Sequence, residues 1–504
     1  MTSTAPTLVA GLDRLSSTHR SALDERLGAL RDVLPAGSAS DPAPAAGATR
    51  GGTDPVDAVV ALLDPHDRAA VWLLVAVVSQ RLPTDREVLA ASRRGVLDGP
   101  AATLAAALEL LDVTEPPVPL RIAVGETLVD VHNTAHTSFF TGIQRVAREC
   151  ARHWAAQHDV TLIAWSADLR CPVDLPASRR AHLLGLDAPG TDGEDEGPAT
   201  RVVPWRGTYL IPELAAERPR TDRLLAMARR TGTRVGSIGY DLVPLTSSET
   251  VIAHLPNEFA GHLAASRHYA TVAAISEAAA QEYRGWRTML SGAGYAGPEI
   301  VAVPLAAEVA VPTPEQQRAA RDLLMIGDLP LVLCVGSHEP RKNHLAVLQA
   351  AEMLWRRGAQ FALTFIGGNS WNSEAFHRTV EQLQAANRPV VTLAGIDDAT
   401  LWSAYRLARF TVFPSLNEGF GLPVAESLAS GTPVVTSEFG SMREIAADGG
   451  ALLVDPHDDG ALAEAMSTLL SDDAELYRLT EEAGRRTVRT WDAYTADVWA
   501  RLTA

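Results

Sequence analysis

Two glutamates stand eight positions apart in the stretch NEGFGLPVAESLASGTPVV: Glu418 in a glycine-rich turn and Glu426 just inside a predicted helix. Between them, Gly419 and Gly421 let the backbone turn tightly and bring its amides close to a ligand. Pro423 suits the first turn of a helix, where its missing N–H would have been unpaired anyway. Gly431 and Pro433 stop that helix. Free amides at a helix start attract an anion, plausibly a phosphate, so Gly419, Phe420, Gly421 and Leu422 are candidate donors to it. A carboxylate in the first turn, Glu426, can accept both vicinal hydroxyls of a ribose. Glu418, on the other side of the phosphate position, can reach the hydroxyls of a sugar. The plainer alternative is that both carboxylates only complement the helix dipole; their pairing around Gly-Phe-Gly-Leu-Pro favours a ligand site.

Such a site needs cations, because a diphosphate carries about two negative charges and Lys and Arg are its usual clamps. The segment VGSHEPRKNHLAVLQA supplies Arg341 and Lys342 in the loop after a strand at 331–336, just before a helix. Cations at a helix start oppose its dipole, so a merely solvated pair is the less comfortable reading. In the first half, Tyr240-Asp241 closes a β-rich run. Asp241 reads either as a turn cap before Pro244 or as a contact to donor or acceptor hydroxyls. Gly142, before a helix at 143–157, lets a loop approach a diphosphate. Arg145 in that first turn could touch phosphate or acceptor, or form a surface salt bridge. Ser276-Glu277 reads as an N-cap with a first-turn acid. His132 and His136 are an i, i+4 pair with neither an HExxH pattern nor a third ligand, so no metal site is expected.

These residues must be positioned by a large, acidic chain. Its 504 residues leave room for two or three domains, and a net charge of −17 argues against a nucleic-acid binder held by bulk electrostatics. Cys150, Cys171 and Cys334 are scattered without metal spacing, which suits a reducing compartment. No signal peptide is apparent, and the apolar stretch 69–78 is too short to span a bilayer. A cytoplasmic protein is expected.

From Arg121 onward, apolar strand runs alternate with amphipathic helices in two series that join near residue 306, the grammar of doubly wound parallel sheets. The reading is an α/β chain with two Rossmann-like domains, 119–306 and 307–487, facing across a cleft. Ligands of such sheets bind at the carboxyl ends of strands. Residues 1–118 read as an accessory helical module, with helices at 7–34 and 56–111 and a Pro/Gly-rich flexible linker at 35–55. Its helices can form their own bundle, dock on the α/β part, or dimerise. It holds no catalytic constellation, so it is expected to be dispensable for chemistry. Residues 184–200 read as an exposed acidic loop. The final helix at 488–504 is expected to pack back on the first domain.

Taken together, NEGFGLPVAESLASGTPVVTSEFGSMREIAADGGALLVDP, VGSHEPRKN and FIGG resemble the retaining glycosyltransferases of family 4, which have the GT-B fold. TGIQRV, YDLVPL, AISEAAAQEY and VAVPLA carry the resemblance into the first half, closest to bacterial mannosyltransferase-like members. It implies a nucleotide-diphosphate sugar donor on the C-terminal domain, and a glycan, glycolipid or protein-linked acceptor on the N-terminal one. A lipid-linked acceptor would bring the chain to the inner face of a membrane. No cofactor, metal or nucleic acid is implied. The paired acidic motif maps onto Glu418 and Glu426, the phosphate-binding cations onto Arg341 and Lys342, and the turn amides onto 419–422. Two departures stand out. Ser337 occupies the place after Gly336 where many members have arginine, and Tyr240 stands where many have histidine. Arg341 is expected to supply the missing charge, and the Tyr240 hydroxyl the missing hydrogen bond. A GT-B epimerase, a phosphorylase-like enzyme or a sugar-binding scaffold are the alternatives; no pyridoxal-phosphate lysine site is visible for a phosphorylase.

Overall fold

The computed structural model describes residues 6–34, 54–137, 142–186, 199–324 and 327–504. Nearly all of the linker expected at 35–55 and most of the acidic loop expected at 184–200 lie outside the described residues. At the linker's end, Asp54 caps a helix, Pro55–Leu62, by accepting from the Val56 N–H.

The second series forms a six-stranded, wholly parallel sheet. Its order is Val390–Leu393, Ala362–Ile366, Leu331–Val335, Phe410–Phe413, Val434–Ser437 and Ala451–Val454. The chain starts in the middle, winds outward one way and then the other, and leaves a crevice where the order reverses. That crevice lies beyond the carboxyl ends of Leu331–Val335 and Phe410–Phe413, the strands that lead into the cation loop and the Glu418 turn.

The first series forms a nine-stranded sheet: Leu120–Val124, Arg201–Trp205, Pro172–Asp174, Thr161–Trp165, Thr127–Asp130, Thr208–Ile211, Arg234–Gly239, Thr271–Ala274 and Glu299–Ala302. The apolar, β-rich run over 122–131 is broken at residues 125–126. Its first part pairs with Arg201–Trp205, and its second with Thr161–Trp165 and Thr208–Ile211. Pro172–Asp174 runs antiparallel to both neighbours, an addition to the parallel pattern.

Alternation along these strands sends successive side chains to opposite faces, and each face has its own helical cover. Leu128, Ile163, Tyr209 and Ile211 join one core with Leu23, Leu27 and the helix Arg68–Ser79. Val129, Leu162, Ala164 and Leu210 join another with Val146, Trp154, Tyr283, Tyr494 and Val498. The front helices are therefore one layer of this domain. Arg68–Ser79 is buried continuously from Ala70 to Ser79, which explains why its sequence is apolar all round. Polar ties reinforce the docking: Asp85 pairs with Arg229 and Arg230, and the Gln80 side chain donates to Val118 O. The last helix, Trp491–Thr503, lies on the other face, where the Trp154 indole donates to Thr495 O. No helix among the described residues is long and apolar enough to cross a membrane.

Candidate active site

The helix Leu422–Ala429 begins at Gly421, whose φ of +99° is a left-handed conformation that a side chain would strain. The turn before it presses against the other domain. A Cβ on Gly419 would lie 2.7 Å from Tyr240 O and 3.0 Å from Asp241 Oδ2, so only glycine permits this approach. Ser276 caps its own helix by accepting from Ala279 N–H, and its hydroxyl donates across the cleft to Gly419 O at 2.6 Å. Glu444 accepts from the N–H groups of Glu277 and Ala278 at 3.0 Å each, capping that same helix from the opposite domain. Asn417 reaches Ser247 at 3.2 Å. The two domains thus meet at the Glu418 turn.

Glu418 lies at the centre. Lys342 Nζ stands 2.6 Å from its Oε1, Arg341 Nη1 2.8 Å from its Oε2, and the Ser415 hydroxyl donates to it at 2.6 Å. Burial alone would raise this carboxyl; Arg341 and Lys342 outweigh it and hold the group at about 2. Arg341 also pairs with buried Glu339 at 2.7 Å and donates to Asn417 O at 2.7 Å. Its guanidinium is largely spent on protein partners. Lys342 has two further protons to offer, and its ammonium lies 5.2 Å from the Phe413 ring centroid. Gly336 ends the strand, with its N–H bonded to Ile366 O, and Ser337 follows it in the loop toward Glu339. Among the described residues, the N–H groups of Phe420, Gly421 and Leu422 donate to no protein acceptor. Unpaired amides of this kind can hold an anion.

Asp241 serves its turn by accepting from Val243 N–H at 3.1 Å, and it also faces the Glu418 turn. Burial pushes its carboxyl up to about 6, with Arg341 opposing the rise and Glu282 and Glu418 reinforcing it. Both readings of this residue are therefore compatible with its position.

Glu426 departs from expectation in detail. It lies in the second turn of the helix, where its side chain is buried. Arg145 Nη1 reaches its Oε1 at 2.8 Å, and the Tyr405 hydroxyl donates to its Oε2 at 3.0 Å. Arg145 is thus a cross-domain partner of a carboxylate. Gly142, three residues before it, meets Leu422: a Cβ there would lie 3.1 Å from Leu422 Cδ1. The Tyr240 hydroxyl donates to Pro212 O at 2.5 Å and lies 3.4 Å from Ile143 O, both in the first domain. His132 and His136 pack with tilted rings, centroids 4.6 Å apart, the former accepting from Trp165 N–H. No cluster of three or more metal-ligating side chains occurs among the described residues.

Sequence reasoning missed Glu339, Ser415, Tyr405, Glu282 and Glu444. Glu339 was detectable beside the two cations. Tyr405 was not, since Leu401, Trp402 and Tyr405 read as the apolar stripe of an ordinary helix.

Residues 315–487 match the family model described as glycosyl transferases group 1. The serotype-specific mannosyltransferase WbdA of Escherichia coli is 26% identical over 333 residues, covering 63% of this chain and 39% of that protein. D-inositol 3-phosphate glycosyltransferase 2 of Catenulispora acidiphila is 34% identical over 202 residues, 37% of this chain and 47% of its own length. The matches thus span less than half the length of either relative. Among solved structures, sucrose-phosphate synthase from Thermosynechococcus elongatus superposes with a TM-score of 0.54 at 19% identity, over 76% of this chain and 98% of that one. That likeness extends to the fold.

Proposed function

We propose that this chain, which belongs to the glycosyl transferases group 1 family through residues 315–487 and has the GT-B fold, transfers a hexosyl residue from a nucleotide-diphosphate sugar with retention of configuration. The observation that carries the reading is a turn in which Glu418 is held 2.6 Å from Lys342 Nζ and is followed by three undirected backbone amides at 420–422. Lys342 and those amides stabilise the charge that develops on the leaving diphosphate. The bond from the anomeric carbon to the phosphate oxygen breaks, and the bond to the acceptor oxygen forms on the same face. The acceptor's proton passes to the departing phosphate. Glu418 orients the sugar hydroxyls, Glu426 accepts from the ribose, and Asp241 meets donor or acceptor from the first domain. Arg341 acts through Glu418, whose position it fixes. A mannosyl donor is supported by the names of the relatives WbdA and O-antigen chain mannosyltransferase B of Escherichia coli. The O-antigen chain named for the second relative supports a glycan or lipid-linked acceptor in surface polysaccharide assembly.

The test is a panel of GDP-, UDP- and dTDP-sugars without acceptor, followed by proton NMR of the anomeric signal. Slow hydrolysis of one donor, GDP-mannose foremost, with the α-sugar appearing first, is the expected result. Hydrolysis of none, or first appearance of the inverted sugar, would overturn the reading.

A further inference from the structure

Arg145 and Glu426 come from different domains, yet each supplies the other's closest charged contact. The Arg145 guanidinium lies between two indoles, 5.3 Å from the Trp402 ring centroid and 5.6 Å from that of Trp491. Its Nη2 is 3.4 Å from Glu308 O in the segment that joins the domains. The C-terminal helix, the second domain and the interdomain segment therefore converge on one arginine of the first domain. We propose that Arg145 is a positioning residue that completes the donor's ribose site from the opposite domain, by keeping the Glu426 carboxylate ionised and aimed. The inference rests on the reading of Glu426 as the ribose ligand.

The geometry supports positioning over competition. A carboxylate offers about four acceptor lone pairs, two on each oxygen. Arg145 takes one on Oε1 and Tyr405 one on Oε2, which leaves one on each oxygen for the two hydroxyls of a cis-diol. Among the described residues of the second domain, the Tyr405 hydroxyl is the side-chain donor that offsets the burial of Glu426. The groups that face it are Arg145 from the first domain, and Tyr405 and Asp398 from the helix Asp398–Leu407. Burial raises its carboxyl, Asp398 adds to the rise, and Arg145 is the largest opposing influence. Arg145 also shares a helix turn with Gly142, which touches Leu422. Ribose recognition and closure of the two domains at the catalytic turn are thereby one event.

The test is calorimetric titration of GDP, UDP and ADP into the full chain between pH 5.5 and 8.5, for wild type, Arg145→Ala, Arg145→Lys and Glu426→Ala. Thermal melting confirms that each variant is folded. The expected result is that Arg145→Ala binds the preferred nucleotide about tenfold more weakly at pH 7. It should also lose binding on acidification at a higher pH than wild type. Arg145→Lys should recover part of both effects, because it restores the charge without the fork. Weak binding by Glu426→Ala alone, with Arg145→Ala unchanged in affinity and pH profile, would overturn the inference while leaving the ribose reading intact. Tighter binding by Arg145→Ala would make Arg145 a competitor and overturn it too. Unchanged binding by Glu426→Ala, or no binding of any of the three by wild type, would bring down the ribose reading and this inference with it.

Discussion

Glu418 is already paired to two cations and a hydroxyl, whereas Lys342 Nζ makes one hydrogen bond among the described residues, to Glu418, with Glu339 farther off at 3.9 Å. That asymmetry separates the cations: Arg341 is committed to Glu339, Asn417 O and Glu418, and Lys342 is the one left to meet phosphate. Lys342→Ala should therefore lower turnover by about 10²-fold, the scale of a lost transition-state donor, with a smaller effect on melting. Steady-state release of nucleoside diphosphate checks it. Asp241 makes a second prediction. Its folded pKa of about 6 lies above its ordinary 3.8, so the folded state holds the proton more tightly. Its favourable contribution to stability is full below about pH 4 and is lost as pH rises through 6. Glu418, held at about 2, works in the opposite sense and keeps its contribution throughout that interval. Asp241→Asn should then flatten the part of the fall in melting temperature between about pH 4 and 6 that this group causes. An unchanged slope would contradict it. The acidic pair and the cations were legible because their spacing around Gly419 and Gly421 is itself a chemical statement. The Tyr240 hydroxyl was not: strand periodicity gives a face, and cannot reveal that Pro212 O lies within reach of it.

The same division appears among the elements. Apolar runs flanked by glycine and proline marked the strands of the second domain and the helices between them. The break at 125–126 was hidden, because Leu120–Val124 and Thr127–Asp130 are equally strand-like and only their different partners divide them. For the last helix, the spacing of Trp491, Tyr494 and Val498 announced a buried stripe, and its partners lie across the chain in the first domain. Tyr494 is fully buried there, and its hydroxyl has no hydrogen-bond partner among the described residues. Tyr494→Ala should cost about 3–5 kcal/mol. Tyr494→Phe should stay within about 1 kcal/mol of wild type or gain slightly, because it removes an unsatisfied polar group. Chemical denaturation of both variants distinguishes this from a Tyr494 whose hydroxyl is essential to the packing.

For the whole molecule, the front helices change the expected division of labour. The sequence suggested that they could be removed without harm to the chemistry, because they hold no catalytic cluster. Their role lies in burial: they cover the face of the first sheet that carries Leu128, Ile163, Val202 and Tyr209. Composition could not disclose this, since an all-apolar helix such as Arg68–Ser79 reads the same whether it packs on its neighbours or on a sheet. A chain of residues 119–504 should therefore be poorly soluble or markedly less stable than the full chain, and its loss of turnover should track its loss of folded protein. A soluble, fully active truncation would contradict this. The most direct test of the central claim is a crystal structure of the full chain with GDP or UDP bound. The diphosphate should lie within hydrogen-bond distance of Lys342 Nζ and the amides at 420–422, with the ribose hydroxyls on Glu426. A nucleotide bound elsewhere, or one whose diphosphate touches neither Lys342 nor those amides, would contradict the account.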